Sequence, residues 1–169
     1  KGWHCSHFFY RFRREAMSAP LSDECVEQFR AALNPQGDAL PERLAVYWIS
    51  GHEADFAFLA MDPDPAKVDA VHQALLAPPL GQFITPHWSF VSISEVSEYV
   101  PSVDEYRNRL VREGADPDSD ELKAKVAGYE RRLPMMNEQR LRPEIPEWPA
   151  ACFYPMNKSR VPGANWFME

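Results

Sequence analysis

Leu44-Ala45-Val46-Tyr47-Trp48-Ile49, then Ser50-Gly51-His52-Glu53-Ala54, then Asp55-Phe56-Ala57-Phe58-Leu59-Ala60-Met61, is the stretch that decides the fold. Two apolar, aromatic runs flank a polar interval containing glycine, which reads as a β-hairpin. His52 falls in the turn, and turns do carry functional groups, so a site role stays open for it. Upstream, Ser22 caps a helix with the apolar stripe Cys25, Val26, Phe29, Ala32 and Leu33. Its capping box is incomplete, because Cys25 rather than Glu stands three residues on. Asn34-Pro35-Gln36-Gly37 ends that helix. Before it, residues 3–12 form an aromatic strand bounded by Arg13-Arg14. Alternation puts Trp3, Cys5, His7 and Phe9 on one face, and His4, Phe8 and Tyr10 on the other. A strand covered on both sides explains that pattern. His4 and His7 face opposite ways, so they do not share a metal.

Downstream of the hairpin, Asp62-Pro63-Asp64-Pro65 opens a helix over residues 66–76 with Val68, Val71, Leu75 and Leu76 inward. Pro78-Pro79 stops it. Residues 87–99 are expected as a long strand, with Trp88 and Phe90 on one face and Val91 and Ile93 on the other. The order strand, helix, strand, strand, helix, strand is the ferredoxin-like βαββαβ arrangement, an α+β fold with an antiparallel sheet. One sheet face lies under the helices. The other is rich in aromatics and must pack on a second sheet, a partner or a large ligand.

After residue 100 the pattern becomes helical. Ser102 caps residues 103–113, and a longer helix runs from about 119 to 133 with Leu122, Val126, Tyr129 and Leu133 in register. Pro134 is expected to bend or end it. Met135-Met136 reads as core filling rather than heme ligation. The expected organisation is a ferredoxin-like domain at 1–100, a helical connector at 101–147, and the start of a second ferredoxin-like domain at 148–169.

The formal charge of −7 argues against a general nucleic-acid surface. Cys5, Cys25 and Cys152 are an odd and widely spaced set, which fits neither a secreted disulfide framework nor a zinc site and points to a cytoplasmic setting. No apolar run approaches the roughly 18 residues of a membrane span. The chain opens on Lys1 and closes on Trp166-Phe167-Met168-Glu169, which reads as a chain cut within a domain or continued on another polypeptide.

Chemistry concentrates in Cys152-Phe153-Tyr154-Pro155-Met156-Asn157-Lys158-Ser159-Arg160. The apolar run 150–153 is expected as a buried strand that delivers a phenol, a thioether and two cations. In extended backbone Tyr154, Met156 and Lys158 share a face. Arg140 and Arg142 arrive just upstream, with the forked geometry that holds carboxylate or phosphate. An edge strand with ordinary surface charges is the plainer reading. A polyanionic, largely apolar ligand suits the set, a porphyrin with propionates or a flavin phosphate. No glycine-rich phosphate loop, Gly-x-Ser-x-Gly elbow or His-Glu-x-x-His helix is present.

Tyr154-Pro155-Met156-Asn157-Lys158-Ser159-Arg160 followed by Gly163-Ala164-Asn165-Trp166-Phe167 closely resembles the motif of the coproheme decarboxylases of the chlorite dismutase superfamily. Residues 3–10, His87-Trp88-Ser89-Phe90-Val91-Ser92 and Arg140-Leu141-Arg142-Pro143 resemble further segments of that family. The resemblance implies the first half of a dimeric α+β barrel, in a homo-oligomer such as a pentamer. It implies peroxide-dependent removal of two propionate carboxyls from iron coproporphyrin III, giving heme b. Tyr154 matches the radical-forming tyrosine and Lys158 the lysine that assists the second step. Arg140 resembles the propionate-holding arginine, and Met156 a pocket-lining residue. The family's iron-binding histidine has no match among His4, His7, His52, His72 and His87, so the other half of the barrel is expected to supply it, from a separate chain if need be. Chlorite dismutase chemistry and porphyrin binding without turnover are the alternatives on the same fold.

Overall fold

The computed structural model describes residues 2–17, 19–97 and 99–154. Its elements are β1 (His4–Phe12), α1 (Asp23–Leu33), β2 (Arg43–Trp48), β3 (Phe56–Asp62), α2 (Pro65–Leu76), β4 (Ile84–Ile93), α3 (Val103–Arg112) and α4 (Asp120–Leu141). The strands form one antiparallel sheet in the order β2-β3-β1-β4. This is the ferredoxin-like βαββαβ unit with a helical extension.

Local signals set the helix starts. Ser22 accepts the Cys25 N–H, Asp64 accepts the Ala66 N–H, and Ser119 accepts the Leu122 N–H. Ser102 and Glu105 form a complete capping box, each side chain accepting from the other's backbone N–H. The β2–β3 turn needs Gly51, whose φ of +127° few other residues tolerate.

Cross-strand register sorts the side chains onto two faces. Leu44, Ala60 and Ser6 make one row, Val46, Phe58 and Phe8 the next, and Trp48, Phe56 and Tyr10 the third. These rows meet α1 and α2, where Tyr10, Phe56, Phe58, Val71 and Leu75 form the core with Leu80 and Ile84. Gln28 ties α1 to the following turn, donating to Ala77 O at 3.0 Å and accepting the Leu80 N–H at 3.0 Å. On the opposite face the rows are Arg43, Met61, Cys5, Ser92; then Ala45, Leu59, His7, Phe90; then Tyr47, Ala57, Phe9, Trp88.

Three expectations need correction. β4 begins at Ile84 and ends at Ile93, instead of spanning 87–99. Its early start enters through a bulge where β1 pairs Tyr10 with Pro86, a residue an edge strand accommodates. Beyond Ile93 one backbone bond remains, Ser94 N–H to Trp3 O at 2.9 Å, and the paired register with β1 stops at His4. Pro134 does not end α4, which continues to Leu141. Pro134 lies on the exposed side, where water can satisfy the Glu130 carbonyl that the missing N–H leaves free. The apolar run 150–153 is not a buried strand: it is irregular and exposed.

Candidate functional site

The aromatic sheet face is partly covered by the chain that leaves α4. Pro143, Pro146 and Pro149 keep this segment from helix and ladder alike. Its root is pinned. Ser94 Oγ donates to Leu141 O at 2.6 Å and accepts the Trp3 N–H at 2.8 Å. Arg43 pairs with Glu144 at 2.6 Å. The Trp3 ring lies under two guanidinium groups, Arg43 at 5.5 Å and Arg142 at 6.0 Å. Arg142 also pairs with Glu138.

Farther along, Phe153 inserts among four rings of the sheet. It stacks on His7 with centroids 4.0 Å and planes 17° apart. Phe9 lies at 6.0 Å, Trp88 at 6.2 Å and Phe90 at 6.2 Å. Between the segment and the sheet is a cavity of about 360 Å³, lined by Cys5, His7, Met61, Ser92, Pro143 and Ala151 among others. Burial pulls the His7 imidazole below its ordinary pKa. Burial pushes the Cys5 thiol up, and its hydrogen bond to Ser92 opposes this. Both groups are therefore neutral at neutral pH. His7 Nδ1 is buried without a hydrogen-bond partner among the described residues. The recess suits an apolar, planar group, and here it takes a phenylalanine.

The site residues expected from sequence are only partly placed. Tyr154 follows Phe153 directly and is 66% exposed. Arg140 is exposed near the end of α4, with no hydrogen bond or ion pair to any described residue. Met156, Lys158 and Arg160 lie outside the described residues, and with them the face that Met156 and Lys158 were expected to share with Tyr154. The histidines are dispersed. His52 and His87 each approach Glu53, at 2.9 and 3.4 Å. His72 meets Tyr10, a pairing that sequence reading missed because the two residues are 62 apart. Among the described residues no group of three His, Cys, Asp or Glu is arranged to hold a metal ion. No described helix is long and apolar enough to cross a membrane. The His7, Phe9, Trp88, Phe90 cluster was legible as one face by alternation, but nothing in the letters showed that Phe153 fills it.

Comparison with known proteins gives a consistent picture. A curated relative, the coproheme decarboxylase of Oceanobacillus iheyensis, is 30% identical over 122 residues, covering 72% of this chain and 40% of that protein. A solved structure from Thermus thermophilus, described as a novel heme-binding protein, matches with a TM-score of 0.50 at 23% identity, over 74% of this chain and 48% of that one. A variant of chlorite dismutase from Candidatus Nitrospira defluvii matches at 0.49 and 16% identity, over 64% of this chain and 48% of that one. The chain thus spans less than half the length of these relatives, and the likeness to the Thermus structure, at 23% identity, is one of fold. The family model for chlorite dismutase matches residues 22–169, and the chain belongs to that family.

Proposed function

We propose that the chain is the first domain, with the beginning of the second, of an enzyme that decarboxylates iron coproporphyrin III to heme b with hydrogen peroxide. The observation that carries this reading is the 30% identity to a coproheme decarboxylase over 72% of the chain. In this reading residues 1–100 are one ferredoxin-like domain, 101–147 a helical connector, and 148–169 the entry to a second domain whose sheet faces the aromatic rows of the first. The completed barrel assembles into a homo-oligomer.

The residues present fit a carboxylate-bearing macrocycle. Arg140 has a guanidinium engaged by no described residue, free to form a charge-assisted pair with a propionate. Tyr154 has an exposed phenol, held next to Phe153, which is anchored on His7. Bound iron porphyrin supplies the reaction with peroxide. Tyr154 gives up an electron and its hydroxyl proton, then takes a hydrogen atom from the propionate side chain. Loss of carbon dioxide and a second electron leaves a vinyl group. Each carboxylate consumes one peroxide and one proton and releases two waters. Lys158 assists at the second propionate by its charge, and Met156 lines the pocket.

The test is to give the purified protein, with any chain that co-purifies, ferric coproporphyrin III and slow peroxide, and to weigh the pigment. Stepwise loss of two carboxyls, abolished by Tyr154→Phe with pigment binding retained, is the expected result. Oxygen release from chlorite without mass change, or binding without turnover, would replace the proposal with a dismutase or a binding protein respectively.

A further inference from the structure

A second phenol lies on the helix-covered side of the sheet, away from Phe153. Tyr10 is fully buried. Its ring lies near-parallel to those of Phe56 and Phe58, with centroids 5.0 and 6.0 Å away. Its hydroxyl lies 2.6 Å from His72 Nδ1. No other described group bonds this hydroxyl, so the O–H donates to Nδ1 and the imidazole carries its own proton on Nε2. His72 lies nearly flat on Phe8, at 4.5 Å and 16°, which holds the ring plane. Burial, and then the Asp69 carboxylate, push the phenol pKa up, while burial pulls His72 down against Asp69. At neutral pH the pair is a neutral phenol bonded to a neutral base.

A buried phenol that loses an electron alone becomes a cation without solvent, a costly state. A base already aligned on the O–H removes that cost. We infer that Tyr10 and His72 form a one-electron oxidation site. An outer-sphere oxidant, a high-potential metal complex or an activated metalloporphyrin, takes one electron from the phenol. The hydroxyl proton moves along the hydrogen bond to Nδ1, leaving a neutral phenoxyl radical and an imidazolium; reduction reverses both transfers. Trp48, 75% exposed, stands 6.4 Å from Phe56, the ring beside Tyr10, and offers an aromatic exit for the electron. The site stands apart from the decarboxylation reading, in which it would drain oxidising equivalents that miss Tyr154.

The test uses the whole chain with photogenerated ruthenium(III) tris-bipyridine and no porphyrin, so its outcome is separate from that of the decarboxylation assay. Freeze-quench EPR, with and without ring-deuterated tyrosine, reads the radical. The expected result is a tyrosyl signal that survives Tyr154→Phe, is lost in Tyr10→Phe, and is lost in His72→Gln, which retains a polar group but no base. In the unmutated protein, high-field EPR should show the g-shift of a phenoxyl oxygen that accepts a hydrogen bond. The yield should fall as acid protonates His72; the charged or titratable groups facing it among the described residues are Tyr10 and Asp69. An undiminished signal in Tyr10→Phe, or a yield and pH profile unaltered in His72→Gln, overturns the inference. So does an unshifted g-tensor in the unmutated protein, which needs no variant to fold.

Discussion

Phe153 lies face to face on His7, 4.0 Å away, and this stack fixes where the chain enters Tyr154. The contact joins the last described segment to the strand that begins the sheet. Its partner ring is neutral, because burial disfavours the imidazolium, so the stack is an apolar contact and not a charge–ring one.

Phe153→Ala should therefore release the segment without unfolding the domain. The ring is still 41% exposed, so the loss is that of a partly buried aromatic with one good stack, about 1–2 kcal/mol. A lowered urea midpoint with unchanged slope, and faster amide exchange at residues 5–9 and 88–92, are the expected readings. Unchanged exchange there would mean that Phe153 does not cover the sheet in solution.

Asp55 governs the acid side of the stability curve. Its carboxylate accepts the Phe12 N–H at 2.8 Å and pairs with Arg14 at 2.6 Å. The backbone bond foremost, and Arg14 after it, hold its pKa below the usual carboxylate range, although partial burial opposes them. The unfolded chain thus binds this proton more readily than the folded one, and stability rises with pH across that window. The contribution is complete above the unfolded pKa and fades as pH falls through the folded one. Asp55→Asn should lower stability at neutral pH, and the gap from the parent should close on acidification. A gap that does not vary with pH would show that the charge is not the source.

The fold was legible because its signals are local. The hairpin around Gly51, the caps Ser22 and Ser102, and the alternating faces of residues 3–12 each follow from a few neighbouring letters. The misjudged boundaries depend on distant partners. Residues after 93 look like strand, yet only Ser94 still meets the start of the first strand, its N–H donating to Trp3 O. Pro134 looks like a stop, yet its exposed position lets the helix pass. The candidate site was legible only as chemistry: Tyr154 and Arg140 stood out by type, while the His7–Phe153 stack and the Tyr10–His72 bond arise from long-range packing. The spatial relation of Met156 and Lys158 to Tyr154 lies outside the described residues.

Gln28 is a link between α1 and the turn before β4 that no pattern of letters singles out. It satisfies the Ala77 carbonyl and the Leu80 N–H together, at 3.0 Å each. Leu80 is itself fully buried. Gln28→Ala leaves the buried Leu80 N–H without its partner, a cost of about 1–3 kcal/mol, while Ala77 O keeps the Gly81 N–H at 2.9 Å. Thermal or urea unfolding would show it. Gln28→Glu should recover part of the loss, since a carboxylate can still accept from Leu80 but cannot donate to Ala77. Equal destabilisation by the two variants would assign the effect to the lost Nε2 donor alone, since glutamate fills the same space as glutamine.

Arg43 allows competing effects to be weighed at one residue. Its pair with Glu144 is short, 2.6 Å, but the Glu144 side chain is 80% exposed. Such a pair contributes about 0–1 kcal/mol. Its position over Trp3 adds about 0.5–1 kcal/mol. Against these, its Nε is buried without a described partner, a penalty of about 1–3 kcal/mol. Arg43→Met keeps an apolar stem on the sheet and removes both the gains and the penalty. Global stability should therefore change by no more than about 1 kcal/mol, of either sign. The segment from Pro143 to Trp148 should nonetheless loosen, because it loses its one ion pair to the sheet among the described residues. Limited proteolysis or amide exchange across residues 144–148 would report that release, and a double-mutant cycle with Glu144→Gln would isolate the pair. A large global loss in Arg43→Met would mean that Nε has a partner in solution. Unaltered exchange at 144–148 would mean that Ser94 and Trp3 hold the segment without it.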